Sequence, residues 1–217
     1  MMQFYRTEDR CPSLSTELIG LMMLTETATI GHVEHTGFVS SDVRPVFPGK
    51  VAGSAVTVAA PGRDGTIIYK AVDVLGPGDI LVISRVDGDD IACVGGGVAT
   101  AVKAKGGAGI VIDGPCTDVA EIVAVGLPVW CRGHSAKTTN RVFQIGGSVN
   151  EPIACGRAAI LPGFAVLADD EGVFAAPAER METLCRLGIE RQRRSAKLRT
   201  HLAAGRSVFE FNPEAGR

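Results

Sequence analysis

Aromatic residues are scarce in this 217-residue chain: eight Phe, two Tyr and one Trp. A core must therefore be packed from Val, Ile, Leu and Ala, which the 46% hydrophobic content supplies. Net charge is missing as well. The formal charge of -2 gives no electrostatic basis for binding nucleic acid or an anionic membrane. No apolar run approaches the ~20 residues of a membrane span. None of the six cysteines (Cys11, Cys93, Cys116, Cys131, Cys155, Cys185) belongs to a C-x-x-C pair, which argues against a zinc knuckle or a thioredoxin-like site. Scattered cysteines in apolar runs read as buried free thiols, and a reduced, cytoplasmic compartment is the expectation. Met1 to Arg10 is polar and charged, so no secretory leader is expected there.

Glycine is abundant, with 27 residues, and its placement punctuates the chain. Ser13 to about Thr29 reads as a helix capped by Ser13 or Ser15, with Leu14, Leu18, Leu21, Met22 and Thr25 at helical spacing. A loop follows, then the strand "VAGSAVTVAA", ended by Pro61-Gly62. "GTIIYKAVDVL" suits a short helix, "ILVIS" a strand, and "DGDD" a turn into a further strand, "IACV". Val98 to Lys105 is helical and is stopped by Gly106-Gly107. The strand "GIVID", a helix from Asp118 to Val125 and the strand "PVWC" complete an alternation that argues for α/β packing. Residues 152–177 are strand-rich. "PGFAVLADDEGVFAAP" reads as a hairpin and echoes "PGDILVISRVDGDDIACV", either as two ordinary hairpins or as an internal duplication. The segment from Ala178 to about Ala204 is helical and basic, suited to solvent or to a neighbouring subunit.

Two places could carry chemistry. Gly95-Gly96-Gly97 joins a strand to a helix, where backbone N–H groups and the helix terminus favour an anion. The run is neither G-x-G-x-x-G nor a P-loop, so a carboxylate fits better than a phosphate, and a plain tight turn is an equal alternative. Asp118 stands where a helix cap belongs. It is also placed to hold Mg²⁺, which needs only one or two protein carboxylates. Asp113 ends a strand and is given a structural role. Cys116 is read as filling the turn, since nothing in the sequence brings His134, the nearest base in sequence, within reach. His32, His35 and His201 show no metal-ligand spacing.

The order of these motifs resembles the RraA-like family. That family includes class II pyruvate aldolases acting on 4-hydroxy-4-methyl-2-oxoglutarate and 4-carboxy-4-hydroxy-2-oxoadipate. It also includes the regulator of RNase E activity and members once labelled demethylmenaquinone methyltransferases. The resemblance runs through "TAT", "VAGSAVTV", "KAVDVLGPGDILVI", "VGGGVATAVKAKGGAGIVIDGPCTDVAEIVAVGLPVW", "PGFAVLADDEGVFAAP" and "LAAGRSV". Its most specific piece is the glycine loop, a helix, a strand and then D-G-x-x-R-D. The resemblance implies an α/β swivelling β/β/α sandwich like the phosphohistidine domain. It implies one domain over residues 1–217, with 178–204 as a C-terminal helical extension, in a trimer or hexamer whose sites lie at subunit boundaries.

It further implies that Asp118 binds a divalent cation, Mg²⁺ or Mn²⁺, and that Gly95, Gly96, Gly97 and Val98 receive the carboxylate of a small 2-oxo acid. The arginine that binds substrate and steadies an enolate oxygen would stand at 117, where this chain has Thr117. Two other positions depart: Gly31-His32 replaces an S-D pair, and Gly96 replaces an acid inside the glycine loop. Glu190 is the candidate for a carboxylate given by a neighbouring subunit. The expected function is a metal-dependent lyase, cleaving an aldol or decarboxylating an oxaloacetate-like acid through a pyruvate enolate. The alternatives are a regulator that binds a protein partner, or a diverged lyase in which Arg132, Arg141 or Lys103 supplies the missing charge. Neither a nucleic acid nor a membrane is expected as a partner.

Overall fold

The computed structural model describes residues 4–88 and 90–212. The chain opens with β1 (Tyr5–Thr7), α1 (Thr16–Met23), α2 (Thr27–Ile30), β2 (Arg44–Pro45) and the long β3 (Val51–Ala60). Alternating units follow: α3 (Thr66–Val74), β4 (Asp79–Arg85), α4 (Gly96–Ala104), β5 (Gly109–Asp113), α5 (Val119–Val125) and β6 (Val129–Cys131). Then come β7 (Gly147–Val149), β8 (Ile153–Cys155), β9 (Ala158–Ile160), β10 (Ala165–Ala168), β11 (Val173–Ala176) and α6 (Ala178–Ala203).

The main sheet runs β1-β7-β3-β4-β5-β6-β2, and its centre, β3 to β6, is parallel. β10 pairs antiparallel with the first half of β3 and carries β11, while β7 pairs with the second half. Alternation along the central strands divides the interior. Leu81, Ile83, Ile110 and Ile112 face α3, α4 and α5, where Ile67, Ile68, Val98, Val102 and Ile122 meet them. Ile80, Val82 and Val111 face the other way, onto Trp130, Val166 and the β8–β9 hairpin. A third cluster packs Leu167 and Phe174 of the β10–β11 hairpin under α1 and α6 through Leu18, Met22, Met181 and Leu184. Each such fully buried aliphatic side chain contributes about 1.5–3 kcal/mol. The single Trp donates its Nε1–H to the Asp169 carbonyl at 2.8 Å, so its one polar group is satisfied.

The expected strands 51–60 and 109–113, the 169–172 hairpin turn and the C-terminal helix are present. The helix expected over 13–29 is instead two. Ser15 caps α1, accepting from Leu18 N–H at 3.1 Å, and the chain breaks after Leu24. Gln192 of α6 spans the break: its amide donates to Leu24 O at 3.0 Å, and its oxygen accepts from Glu26 N–H at 3.1 Å. Asp169 then caps α2 through the Thr27 N–H and hydroxyl, at 2.8 and 2.6 Å. The segment "IACV" forms only isolated parallel bridges, Ala92 to Thr138 and Val94 to Cys116. It is therefore not the return strand of a hairpin. Its likeness to the β10–β11 hairpin stops at turn chemistry.

Asp64 ties the loop before α3 to the segment leading into β7. Its carboxylate is fully buried and accepts from the Tyr5 hydroxyl, Thr66 N–H at 2.9 Å and Ile145 N–H at 3.0 Å. Burial alone would raise its pKa, but these hydrogen bonds outweigh it and hold the group below the usual aspartate range. A depressed folded pKa gives stability that is present above the unfolded value and is lost as pH falls through the folded one. Asp64→Ala is expected to cost about 1–3 kcal/mol in urea unfolding at pH 7, because it leaves the partly buried Tyr5 hydroxyl and the Thr66 and Ile145 N–H groups without their acceptor. The gap between variant and wild type should narrow only below about pH 4, near the unfolded aspartate value. A gap that stays constant down to pH 2.5 would show that the ionised carboxylate is not what the donors need.

Candidate functional site

Because β4, β5 and β6 are parallel neighbours, their carboxyl ends lie together, and the segments leaving them converge there. Backbone hydrogen bonds lock these segments to one another. Thr117 N–H donates to Val94 O at 2.9 Å, Ala92 N–H to Lys137 O at 2.8 Å and Thr139 N–H to Ala92 O at 3.0 Å. Between them opens a cleft of about 430 Å³. It is lined by Gly95, Gly97 and Val98 of the glycine loop, by Thr117 and Asp118 on one side, and by Tyr69 of α3 with residues 138–141 on the other.

The glycine loop starts α4 with no side-chain cap. Asp118 Oδ2 takes the Gly96 N–H at 3.2 Å, and the other first-turn N–H groups have no intrahelical partner. Gly95 and Gly96 are needed for close approach rather than for turn geometry, whereas a Cβ at Gly97 would meet only the Tyr69 hydroxyl at 3.7 Å. A Cβ at Gly95 would collide with the Asp118 carboxylate, and one at Gly96 with that of Glu121. Glu121 of α5 thus occupies the space over Gly96, the position at which this chain has glycine in place of an acid.

Asp118 occupies the N-cap position of α5, yet its side chain makes no capping bond. Its backbone is left-handed, at φ 52° and ψ 43°. That conformation costs an L-residue on the order of 1–2 kcal/mol, somewhat less for Asp. The strained turn points the carboxylate across to the glycine loop, with Thr117 Oγ1–H donating to Oδ1 at 3.3 Å. Both bonds are long, and no cation pairs with Asp118 among the described residues.

The three cations proposed as substitutes separate clearly. Arg141 lines the cleft, its guanidinium 5.2 Å from the centre of the Tyr69 ring. Arg132 lies in a neighbouring cleft, bonded to Asp113 and, at 2.9 Å, to Asp42. Lys103 reaches the Val125 carbonyl at the far end of α4. Asp113, for which a structural role was expected, also accepts from Gly156 N–H at 2.7 Å and lines the same cleft as Arg132. Glu190 is exposed on α6, outside the residues lining the cleft.

One expectation is overturned. His134 does come within reach of Cys116, because the turn after β5 runs parallel to the segment after β6, with Cys116 bridged to His134. Cys131 joins them, its Sγ 3.5 Å from that of Cys116. The hydrogen bond with Cys131 and burial push the Cys116 thiol well above its ordinary range. The signal available in the sequence was Cys131-x-x-His134 closing one β-α-β unit after Cys116.

Residues 26–175 match the model of the RraA-like family, described as Aldolase/RraA. A Halalkalibacterium halodurans protein with the provisional name 4-hydroxy-4-methyl-2-oxoglutarate aldolase is 30% identical over 155 residues, which is 71% of this chain and 73% of that one. A Thermus thermophilus protein named 4-hydroxy-4-methyl-2-oxoglutarate aldolase is 27% identical over 115 residues, covering 53% and 69%. Among solved structures, Streptomyces coelicolor RraAS2, described as an unusual member of the RNase ES inhibitor RraA protein family, superposes with a TM-score of 0.76. It is 25% identical, covering 88% of this chain and 98% of its own.

Proposed function

The chain belongs to the RraA-like family, and on that premise we propose that it is a divalent-metal-dependent lyase acting on a small 2-oxo acid. The observation that carries this reading is the Asp118 carboxylate, held in a strained turn without capping its helix and facing uncapped amides across a polar cleft. The donor set suits Mg²⁺ or Mn²⁺. It offers one hard carboxylate in an exposed position, bonded only weakly, with Thr and Asn oxygens around it and room for water. Asp118 would hold the cation, which when bound supplies Lewis acidity toward the 2-oxo group.

The chain's own residues do the rest. Gly97 and Val98 present first-turn N–H groups of α4 to the substrate carboxylate. The Thr117 hydroxyl, turned from its long bond to Asp118, donates beside them. Arg141 supplies the positive charge facing the oxygen on which the enolate develops, and Tyr69 steadies its guanidinium. In aldol cleavage the C4 hydroxyl loses its proton, the C3–C4 bond breaks, and its electron pair becomes the enolate of pyruvate, which is then protonated at C3. Decarboxylation of an oxaloacetate-like acid reaches the same enolate by releasing CO₂.

The cleft is open, and Val142 and Ile145 next to Arg141 are exposed apolar side chains. A trimer or a pair of trimers would cover such a rim and could bring Glu190 of a neighbouring subunit to the cleft. Among the described residues no helix is long and apolar enough to cross a membrane.

The test is pyruvate release from 4-hydroxy-4-methyl-2-oxoglutarate and from oxaloacetate with Mg²⁺ or Mn²⁺, on a preparation whose mass is read by light scattering. Release that is abolished by EDTA and restored by metal, from a trimer or its multiple, is expected. A folded trimer inert toward both acids would remove the lyase reading and favour a protein-binding role.

A further inference from the structure

Behind the Asp118 turn lies a cluster of quite different chemistry. Cys116 and Cys131 are 0% and 2% exposed, and His134 is exposed at the surface above them. One ligand atom from each of the three lies within 4.8 Å of the others. The two stretches that carry them are held in register by backbone bonds. Cys116 N–H donates to Gly133 O at 3.1 Å, Ser135 N–H to Cys116 O at 3.0 Å and Arg132 N–H to Gly114 O at 2.8 Å.

We propose that Cys116, Cys131 and His134 form a Cys₂His site for a soft divalent cation of the Zn²⁺ class. The site is separate from the hard-oxygen chemistry of Asp118 and does not depend on the lyase reading. Geometry supports it. At a Zn–S distance of about 2.3 Å, sulfurs 3.5 Å apart subtend about 99° at the metal, and a tetrahedral angle needs a separation only about 0.3 Å larger. A disulfide would require the sulfurs to close to about 2.05 Å and would leave His134 with no part to play.

Charge supports it too. Two buried thiolates are costly alone, but with a dication and a neutral imidazole the site is neutral overall. Binding therefore sends two thiol protons to solvent. Three protein ligands leave a fourth position open. His134 lines the adjacent cleft with Pro115 and Ser135, from which water or an anion can fill it. Such an ion would pin residues 114–118 to the end of β6 and so fix the base on which Thr117 and Asp118 stand.

Cobalt is the probe. Reduced protein, stripped of metal, is titrated with Co²⁺ and followed by sulfur-to-cobalt charge-transfer absorption in the near ultraviolet, with circular dichroism to confirm folding. One equivalent should saturate the band, and Zn²⁺ should erase it. His134→Ala removes an exposed ligand without touching the core and should weaken binding at least about tenfold, in line with the cost of disturbing a ligand shell. Cys131→Ser should remove the band, and Asp118→Asn should leave it intact. No band from folded wild-type protein, or a band indifferent to His134→Ala, would overturn the site. So would loss of two titratable thiols in air that Zn²⁺ does not prevent, since the pair would then be a disulfide couple.

Discussion

Asp118→Asn is expected to lower metal-dependent pyruvate release by about 10³-fold or more while leaving the protein as stable as before. The size follows from the role. Lewis-acid assistance is worth several kcal/mol, and about 4 kcal/mol corresponds to that factor in rate. Asn keeps the shape and tolerates the left-handed backbone at φ 52°, so only the charge is lost. Calorimetry with Mg²⁺ or Mn²⁺ should show the heat of binding disappear in parallel. Asp118→Gly separates function from strain. It should be equally inactive, yet match or exceed wild-type stability by up to about 1 kcal/mol, because glycine accepts this conformation freely. A cap that serves only the helix would behave in the opposite way, with stability falling and metal affinity unchanged. Equal metal affinity in wild type and Asp118→Asn would sink the assignment.

The parts of this fold that were legible in the sequence are those whose signals are local. β3 and β5 are largely apolar runs bounded by Gly and Pro, and each was placed at its observed limits. The β10–β11 hairpin announces itself through Asp169-Asp170-Glu171-Gly172. β1, β2 and β7 were invisible because two or three residues without an apolar run like that of β6 carry no signal, and pairing with distant strands makes them extended. The break after Leu24 depends on Gln192, 168 residues away, and no window over the helix could contain it. The same division runs through the site. The glycine loop and Asp118 sit in one stretch and could be aligned by motif. The wall at residues 138–141 reaches them only because Ala92 pairs with Thr138, and the Cys116, Cys131 and His134 cluster exists only because β5 and β6 are parallel neighbours.

On the lyase reading, topology favours Arg141 among the substitute cations, and Arg141→Ala should then lower kcat/KM by about 10²–10³-fold, the cost of removing one donor proposed to face a developing oxyanion. Thr117 offers one neutral hydroxyl where a guanidinium was expected, and a hydroxyl cannot balance enolate charge. Arg141 is the one of the three whose side chain lines the Asp118 cleft; Arg132 is committed to Asp113 and Asp42, and Lys103 to a helix end. Because Arg141 is exposed and packs on the Tyr69 face, its loss should leave stability within about 0.5 kcal/mol of wild type. Arg132→Ala is the contrasting control. It strips two carboxylates of their partner and should lower stability more than kcat. Tyr69→Leu removes the ring and should reproduce part of the Arg141→Ala loss, whereas Tyr69→Phe keeps the ring and should not. The decisive variant moves the charge. In Arg141→Ala with Thr117→Arg, the guanidinium returns beside Asp118 from the other wall and should recover at least about tenfold of the lost rate, or ~1.4 kcal/mol in the barrier. Undiminished turnover in folded Arg141→Ala would remove this residue from the reaction. Loss without recovery in the double variant would mean that the cleft needs its cation on the 138–141 wall, and that the chemistry has been rebuilt around that wall rather than around the turn.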